Sequence, residues 1–231
     1  MPARRDACNE KDETEQRVRI FREILFGLAM LLIAASSTQA APLPSWSFSL
    51  MAGAYQPNEP GYDSNYGDPR EFRIDLELGY KITRRIEAGL SIGYFADNGL
   101  ALGAVSGTPS GVKQQLVLFP TQLYLVYQFA FKDDQLLVPY IGGGYTHMTY
   151  RRYVEGQGTV MGGKEGYHGR AGLKFLLNRL EPAAAVKLYD SSGIINSYFL
   201  LESQYARVDN FGGSSVDLGG WSYFGGFQFE F

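Results

Sequence analysis

Cysteine is all but missing from this chain: Cys8 is the one example in 231 residues, so no intramolecular disulfide framework can form. Histidine is nearly as scarce. His147 and His168 are the only two, and without cysteines or an Asp/Glu cluster at ligand spacing they point to no metal site. Neither sign of charge is in excess, with 21 Lys+Arg against 24 Asp+Glu and a net charge of -3, which excludes the basic footprint of a nucleic-acid binder. The longest apolar run, residues 24–35, falls well short of the roughly 20 residues that a membrane-spanning helix needs. Segments with helical periodicity are few as well.

What the chain has in quantity is glycine and large aromatics: 28 Gly, 16 Tyr and 15 Phe. That mixture favours many short strands separated by turns, so the expected class is all-β. The short apolar run has the flanks of an export signal, with Arg17, Arg19 and Arg22 before it and Thr38-Gln39-Ala40 after it. Residues 1–40 are therefore expected to be a signal peptide cut after Ala40, leaving a barrel domain at 41–231. No cysteine follows the run, so a lipoprotein anchor is not expected. Asp6, Glu10, Asp12, Glu13 and Glu15 are foreign to such a signal, which places the expected natural start nearer Val18. Cleavage would remove Cys8 and equal numbers of both charges, so the net charge would stay at -3.

The last sixteen residues, 216–231, carry the strongest pattern. Trp221, Tyr223, Phe227, Phe229 and Phe231 share one face, while Ser222, Gln228 and Glu230 share the other. Five aromatics on one face, ending on a bare phenylalanine, suit a strand that meets lipid. Strand two repeats the rule without a break: Phe72, Ile74, Leu76, Leu78, Tyr80 and Ile82 alternate against Arg73, Asp75, Glu77, Gly79 and Lys81. Thr83-Arg84-Arg85 then reads as a tight turn into strand three, 86–94. Alternation marks further strands at 46–55, 121–131, 137–150, 169–177 and 197–205. Loops are expected at 56–70, 96–111, 151–165 and 207–215, and Pro182 opens one short helix at 182–190. A proline cannot donate to a strand ladder, so Pro120 is expected at a bulge and Pro139 at a strand start.

From these residues the chain resembles the small eight-stranded outer-membrane β-barrels of the OmpA, OmpX and OmpW type. The resemblance implies an eight-stranded antiparallel transmembrane β-barrel with long external loops, short periplasmic turns and one short periplasmic helix. It also implies outer-membrane lipid around the wall, a barrel assembly machinery that reads the C-terminal strand, and a monomer. The external ligand stays unknown. Alternation alone leaves a second fold open, a secreted lipocalin-like barrel with its apolar residues inside.

Four groups of residues invite a functional reading. Arg73, Asp75, Glu77, Lys81, Glu87, Arg170, Lys174 and Glu202 all fall on the faces opposite the apolar stripe, nearly balanced in sign. Buried in a narrow lumen they must pair, either as a plug of salt bridges or as the lining of a gated pore. His147 and His168, with Thr149 and Glu155 or Glu165, raise an acyl-hydrolase alternative acting on lipid A or phospholipid, although no His-x-Ser pattern accompanies them. Gly158, Gly163 and Lys164 fit a phosphate-binding loop only in part, because Glu165 occupies the position that needs Ser or Thr. Trp46, Tyr80, Tyr94, Tyr127 and Phe129 suit interfacial girdles, and Tyr62, Tyr66 and Tyr153 are loop aromatics open to a ligand. No catalytic residue, cofactor or metal is expected.

Overall fold

Period-two alternation becomes a wall once neighbouring strands pair, and here the pairing closes on itself. A computed structural model describes residues 45–58, 71–102, 109–132, 134–156, 158–214 and 216–231. The expected signal peptide, the loop tyrosines Tyr62 and Tyr66, and residues 59–70 and 103–108 lie outside the described residues. Eight strands run in sequence order: β1 Trp46–Pro57, β2 Glu71–Lys81, β3 Ile86–Leu102, β4 Pro109–Gln128, β5 Leu137–Val154, β6 Gly158–Leu176, β7 Asn196–Arg207 and β8 Gly220–Glu230. Each pairs antiparallel with the next, and β8 returns to β1 from Ser47↔Glu230 to Pro57↔Gly220. Closure satisfies the backbone of every strand within the wall, the condition for crossing a bilayer without helices.

The start of β1 and the end of β8 meet at one rim, where the Ser45 amide donates to the Phe231 carbonyl. Connections at that rim are held by side chains that replace missing ladder bonds. In the β2–β3 turn the Thr83 hydroxyl accepts from the amides of Arg85 and Ile86. In the β4–β5 turn the Gln135 amide group bonds to the Phe129 and Leu137 carbonyls and to the Phe131 amide. Between β6 and β7, a 3-10 turn at Leu177–Arg179 leads into a helix, α1, Pro182–Ser192. Pro182 suits a first turn, where its lost N–H is not needed. Gly193, at φ 71°, ends the helix two residues beyond the expected limit.

Burial fixes which face points where. Phe72 is 61% exposed, Leu123 58% and Phe227 48%, whereas Arg73, Asp75 and Glu77 retain 2%, 1% and 6%. The apolar face is outside and the ionic face inside, which overturns the lipocalin-like alternative.

Several strand boundaries differ from the sequence reading. The segment expected as a loop at 96–111 is mostly strand: Ala96 pairs with Val117 and Leu100 with Lys113, before a register shift to Leu102↔Pro109. The expected loop at 151–165 is a hairpin, paired out to Val154↔Gly158. β4 therefore starts at Pro109 rather than Thr121, while β8 starts at Gly220 rather than Val216. Pro120 sits at no bulge. The β3–β4 ladder lapses at Gly93 and Tyr94 and resumes in the same register, and Gly93 leaves room for the proline ring, which a Cβ there would meet at 2.7 Å. Pro139 is the third residue of β5, near the expected strand start.

The strands fall into two lengths. β1, β2, β7 and β8 have 11 or 12 residues, while β3, β4, β5 and β6 have 17 to 20. A tilted strand crosses a bilayer in about 9–11 residues. The short strands only just cross. The long four continue past β2, whose last partner on β3 is Phe95, and past β7, whose last partner on β6 is Tyr167, as a four-stranded sheet on the side away from the termini.

Candidate functional site

Alternation sends every second side chain of eight strands into a lumen too narrow for water-filled space, so polar groups there have only one another. Starting from the rim that carries the termini, Lys81 pairs with Glu230, whose other oxygen accepts from the Asn196 amide at 3.0 Å. One level up, Lys174 lies 3.5 Å from Glu87 and donates to Gln228 at 2.6 Å. Glu87 also accepts from Ser47 at 3.0 Å and Gln128 at 2.7 Å. Next, the Arg170 guanidinium serves two carboxylates, Glu77 across the lumen on β2 at 2.7 Å and Glu202 on the neighbouring β7 at 3.6 Å, and stands 4.5 Å above the Tyr124 ring. Tyr140 donates to Glu202 at 2.8 Å. Highest, Arg73 grips Asp75 through two nitrogens at 2.7 and 2.6 Å and donates to Ser222 at 3.1 Å.

All eight charges singled out from the sequence thus face the lumen, joined by Glu230. Its parity with Ser222 and Gln228 on β8 is the sequence signal for that inward position. With it, four cations meet five carboxylates, and the surplus sits at Arg170. Breaking such a pair strands a charge in a low-dielectric space, which is the costly case for buried ions. Among these groups the residual void is about 10 Å³, bounded by Glu77, Tyr124, Tyr140, Arg170, Lys174 and Glu202. That is room for about one water.

Beyond Arg73 the inward positions turn mainly apolar, though Asp97 and Gln114 are buried there as well. Tyr55, Phe95, Leu116, Leu118, Met148, Ala206 and Val208 form a buried cluster with Tyr150 and Leu218 packed on it. Tyr55 ties this plug to the β7–β8 connection by donating to the Leu218 carbonyl at 2.6 Å. The lumen is filled by ionic layers and then stoppered by hydrocarbon.

The histidines do not assemble. His168 points inward and shares a 2.9 Å hydrogen bond with Thr146, while His147 and Thr149 belong to the outer face, where the His147 ring overlies Gly163. His168 stands opposite Gly144, so the two rings have opposite parity, and the hydrolase constellation is not formed. Gly158, Gly163 and Lys164 lie in β6 rather than in a loop, and Lys164 donates to Ser214 at 2.7 Å and to the Val216 carbonyl. Tyr153 is exposed on the projecting hairpin.

Aromatics band the outer wall. Trp46 meets Tyr80 with ring centres 5.1 Å apart, Tyr127 meets Phe129 at 5.1 Å, and at the other rim Tyr94 meets Phe119 at 5.4 Å and Tyr205 meets Trp221 at 5.1 Å. On β8 and just past its end, Trp221, Tyr223, Phe227 and Phe231 are exposed, and Phe229 is half-buried among its neighbours. On this wall exposure to lipid is the stable state, because no water competes there.

A closed antiparallel barrel, apolar outside and ionic within, is an integral barrel protein of the bacterial outer membrane. Residues 26–189 match the family described as outer membrane protein beta-barrel domain, and the chain belongs to that family. Its fold is similar to that of the outer membrane protein OprG from Pseudomonas aeruginosa, at TM-score 0.53 and 15% identity over 82% of this chain and 97% of that one. It is also similar to Neisserial surface protein A, at TM-score 0.52 and 11% identity over 83% of this chain and all of the other. No curated protein matches the sequence.

Proposed function

We propose that this barrel is a non-enzymatic surface-interaction protein, with the sheet carried by β3–β6 as its working part and the membrane wall as its anchor. The observation that supports this reading is the pairing of Ala96–Leu102, Pro109–Val117, Arg151–Val154 and Gly158–Lys164 beyond the reach of β2 and β7. Paired strands held clear of the membrane cost chain order without adding to the wall, and loops of the same length would close the barrel as well. The tip of the hairpin exposes Tyr153, Val160 and Met161 beside Arg151 and Arg152. On the side of β6 away from β5, the stretch Gly158–Lys164 has no ladder partner among the described residues, and an unpaired strand edge accepts an added strand. Small-solute passage fits less well, since the central void holds about one water and the apolar plug lies above it.

In this reading residues 1–40 deliver the chain across the inner membrane, the assembly machinery takes it up through β8, and the folded protein works as a monomer. The test pairs two measurements. Cells displaying the full chain are compared with cells displaying a variant in which residues 151–161 are replaced by Asn-Gly, for adhesion to immobilised protein and polysaccharide layers. Both purified proteins are then assayed for solute-driven swelling of liposomes. Loss of adhesion in the shortened variant, with both proteins silent in swelling and both retaining heat-dependent gel mobility, is the expected result. Swelling at the rate of a porin control, or equal adhesion by both, contradicts it. The Arg73→Ala variant, measured in planar bilayers, is expected to stay silent because the plug lies above the ionic layer.

A further inference from the structure

Helix α1, eleven residues from Pro182 to Ser192 on the periplasmic rim, has no buried residue. Isolated helices of this length are marginal in water. Its ends are defined by Pro182 and by Gly193, whose amide donates to the Tyr189 carbonyl, but end caps alone do not hold so short a helix. Packing within the described residues leaves most of it uncovered.

The sequence of the helix says what kind of surface that is. At helical spacing Pro182, Val186 and Tyr189 form one stripe, flanked by the half-buried Ala185 and Leu188 on one side and bordered by Asp190 on the other, while Lys187 and Ser191 lie opposite. Val186 is 60% exposed, Tyr189 59%, and Leu180, just ahead of the helix, 71%. Both ends of the segment are tied to the lipid-facing wall. Phe175 lies two residues before the 3-10 turn and belongs to a row of outer aromatics, with Phe199 at 6.4 Å and Phe227 at 5.6 Å from Phe199. Asn178 clamps the two ends together, donating to the Ile195 carbonyl and accepting from the Ser197 amide, both at 2.8 Å. Arg179 adds a bond to the Asp134 carbonyl in the neighbouring turn. The apolar stripe is therefore held at the edge of an apolar wall already in contact with acyl chains.

We propose that α1 is an interfacial helix lying in the headgroup region of the periplasm-facing phospholipid leaflet, with Leu180, Val186 and Tyr189 inserted toward the acyl chains and Lys187 turned to water and phosphate. A tyrosine and a snorkelling lysine flanking aliphatic residues match the chemistry of that boundary. Such a helix braces the β6–β7 connection against the bilayer, where the other rim connections are braced by their own side chains.

The test uses the full chain in a Cys8→Ser background, folded into phosphatidylcholine vesicles. A Val186→Cys variant and a Lys187→Cys variant each carry an environment-sensitive fluorophore, and an Ile141→Cys variant on the outer wall serves as the lipid-facing control. Quenching of the Val186→Cys label by lipids spin-labelled high on the acyl chain, several-fold stronger than for the Lys187→Cys label, which aqueous iodide quenches instead, is the expected result. If iodide reaches both labels alike and spin-labelled lipid quenches neither, the inference fails. It fails equally if the Val186→Cys label is shielded only by a second copy, seen as label-to-label energy transfer without lipid quenching. Heat-dependent gel mobility of each variant confirms that the barrel itself is folded.

Discussion

Within the wall, β2 alternates without exception: Phe72, Ile74, Leu76, Leu78 and Tyr80 outward, Arg73, Asp75 and Glu77 buried. In the projecting hairpin the rule lapses. Arg151, Arg152 and Tyr153 are all exposed, as are Thr159, Val160 and Met161 across from them, although the backbone pairing is just as regular. The difference is the solvent on the two faces. Lipid outside and a packed lumen inside impose opposite chemistry on alternate residues, whereas water on both sides imposes none. Side chains in the wall should therefore be energetically committed, and those of the projection free to be chosen for contact with something else.

The largest expected contrast is between two arginines. Arg170→Met leaves Glu77 and Glu202 facing each other without their shared cation, which should cost about 3–5 kcal/mol. Arg151→Met, on the exposed hairpin, should stay within about 0.5 kcal/mol. Urea unfolding in lipid vesicles, followed through Trp46 and Trp221 emission, reads both. Equal shifts would erase the distinction between wall and projection.

Glycines sharpen the same contrast at a smaller scale. A Cβ at Gly144 would stand 1.8 Å from the Leu123 carbonyl oxygen, part of the adjoining backbone, so Gly144→Ala should cost about 1–3 kcal/mol by forcing β4 and β5 apart. A Cβ at Gly163 would meet the His147 ring at 2.9 Å, and that ring can swing away on the outer face, so Gly163→Ala should stay within about 0.5 kcal/mol. The same unfolding measurement separates them.

The smallest effect belongs to the β7–β8 connection, Val208 to Gly219. There Asp209 accepts from the Gly212 amide at 2.8 Å and from Arg207 at 2.8 Å, and these bonds, the Gly212 amide foremost, hold its carboxyl below its ordinary 3.8. A carboxyl depressed in the folded protein stabilises above its unfolded pKa and loses that contribution as pH falls through the folded value. Exchange of the Gly212 amide, followed by NMR in nanodiscs, should therefore show its protection falling below pH about 4, with the amides of β8 unchanged over the same interval. Parallel loss in β8 would mean that this connection is part of the wall.

The sequence made legible what the bilayer dictates. Eight strands, their inward and outward faces, the Thr83 turn and the helix opened by Pro182 all follow from alternation or from one residue with one conformational use. Residues 151–164 are hidden because a hairpin largely wetted on both faces leaves no periodic trace, and around residues 96–98 and 112–117 burial alternates but the inward face carries Asp97 and Gln114, so no hydrophobic alternation marks it. Pro120 was misplaced for a different reason: the rule against proline in a closed sheet omits the vacancy that Gly93 provides across the ladder. In the lumen, facing was readable but partnership was not. Arg170 and Glu77 are 93 residues apart, and the stagger that brings them to one level is set by closure of the whole barrel. For the histidines the reverse holds: their strands are legible as neighbours, but their opposite parity follows only from the β5–β6 register, which sets His168 against Gly144 and His147 against Glu165.

The account stands on which way each side chain of the wall points, and nitroxide scanning of β8 reads that directly. Single cysteines from Gly220 to Glu230, in a Cys8→Ser background folded into vesicles, would be spin-labelled and their collision rates with oxygen and with a water-soluble nickel chelate compared. Oxygen accessibility should peak at positions 221, 223, 225, 227 and 229 and fall between them, with the chelate excluded from the middle of the strand. Peaks at 222, 224, 226 and 228 instead, or chelate access along the whole strand, would contradict it.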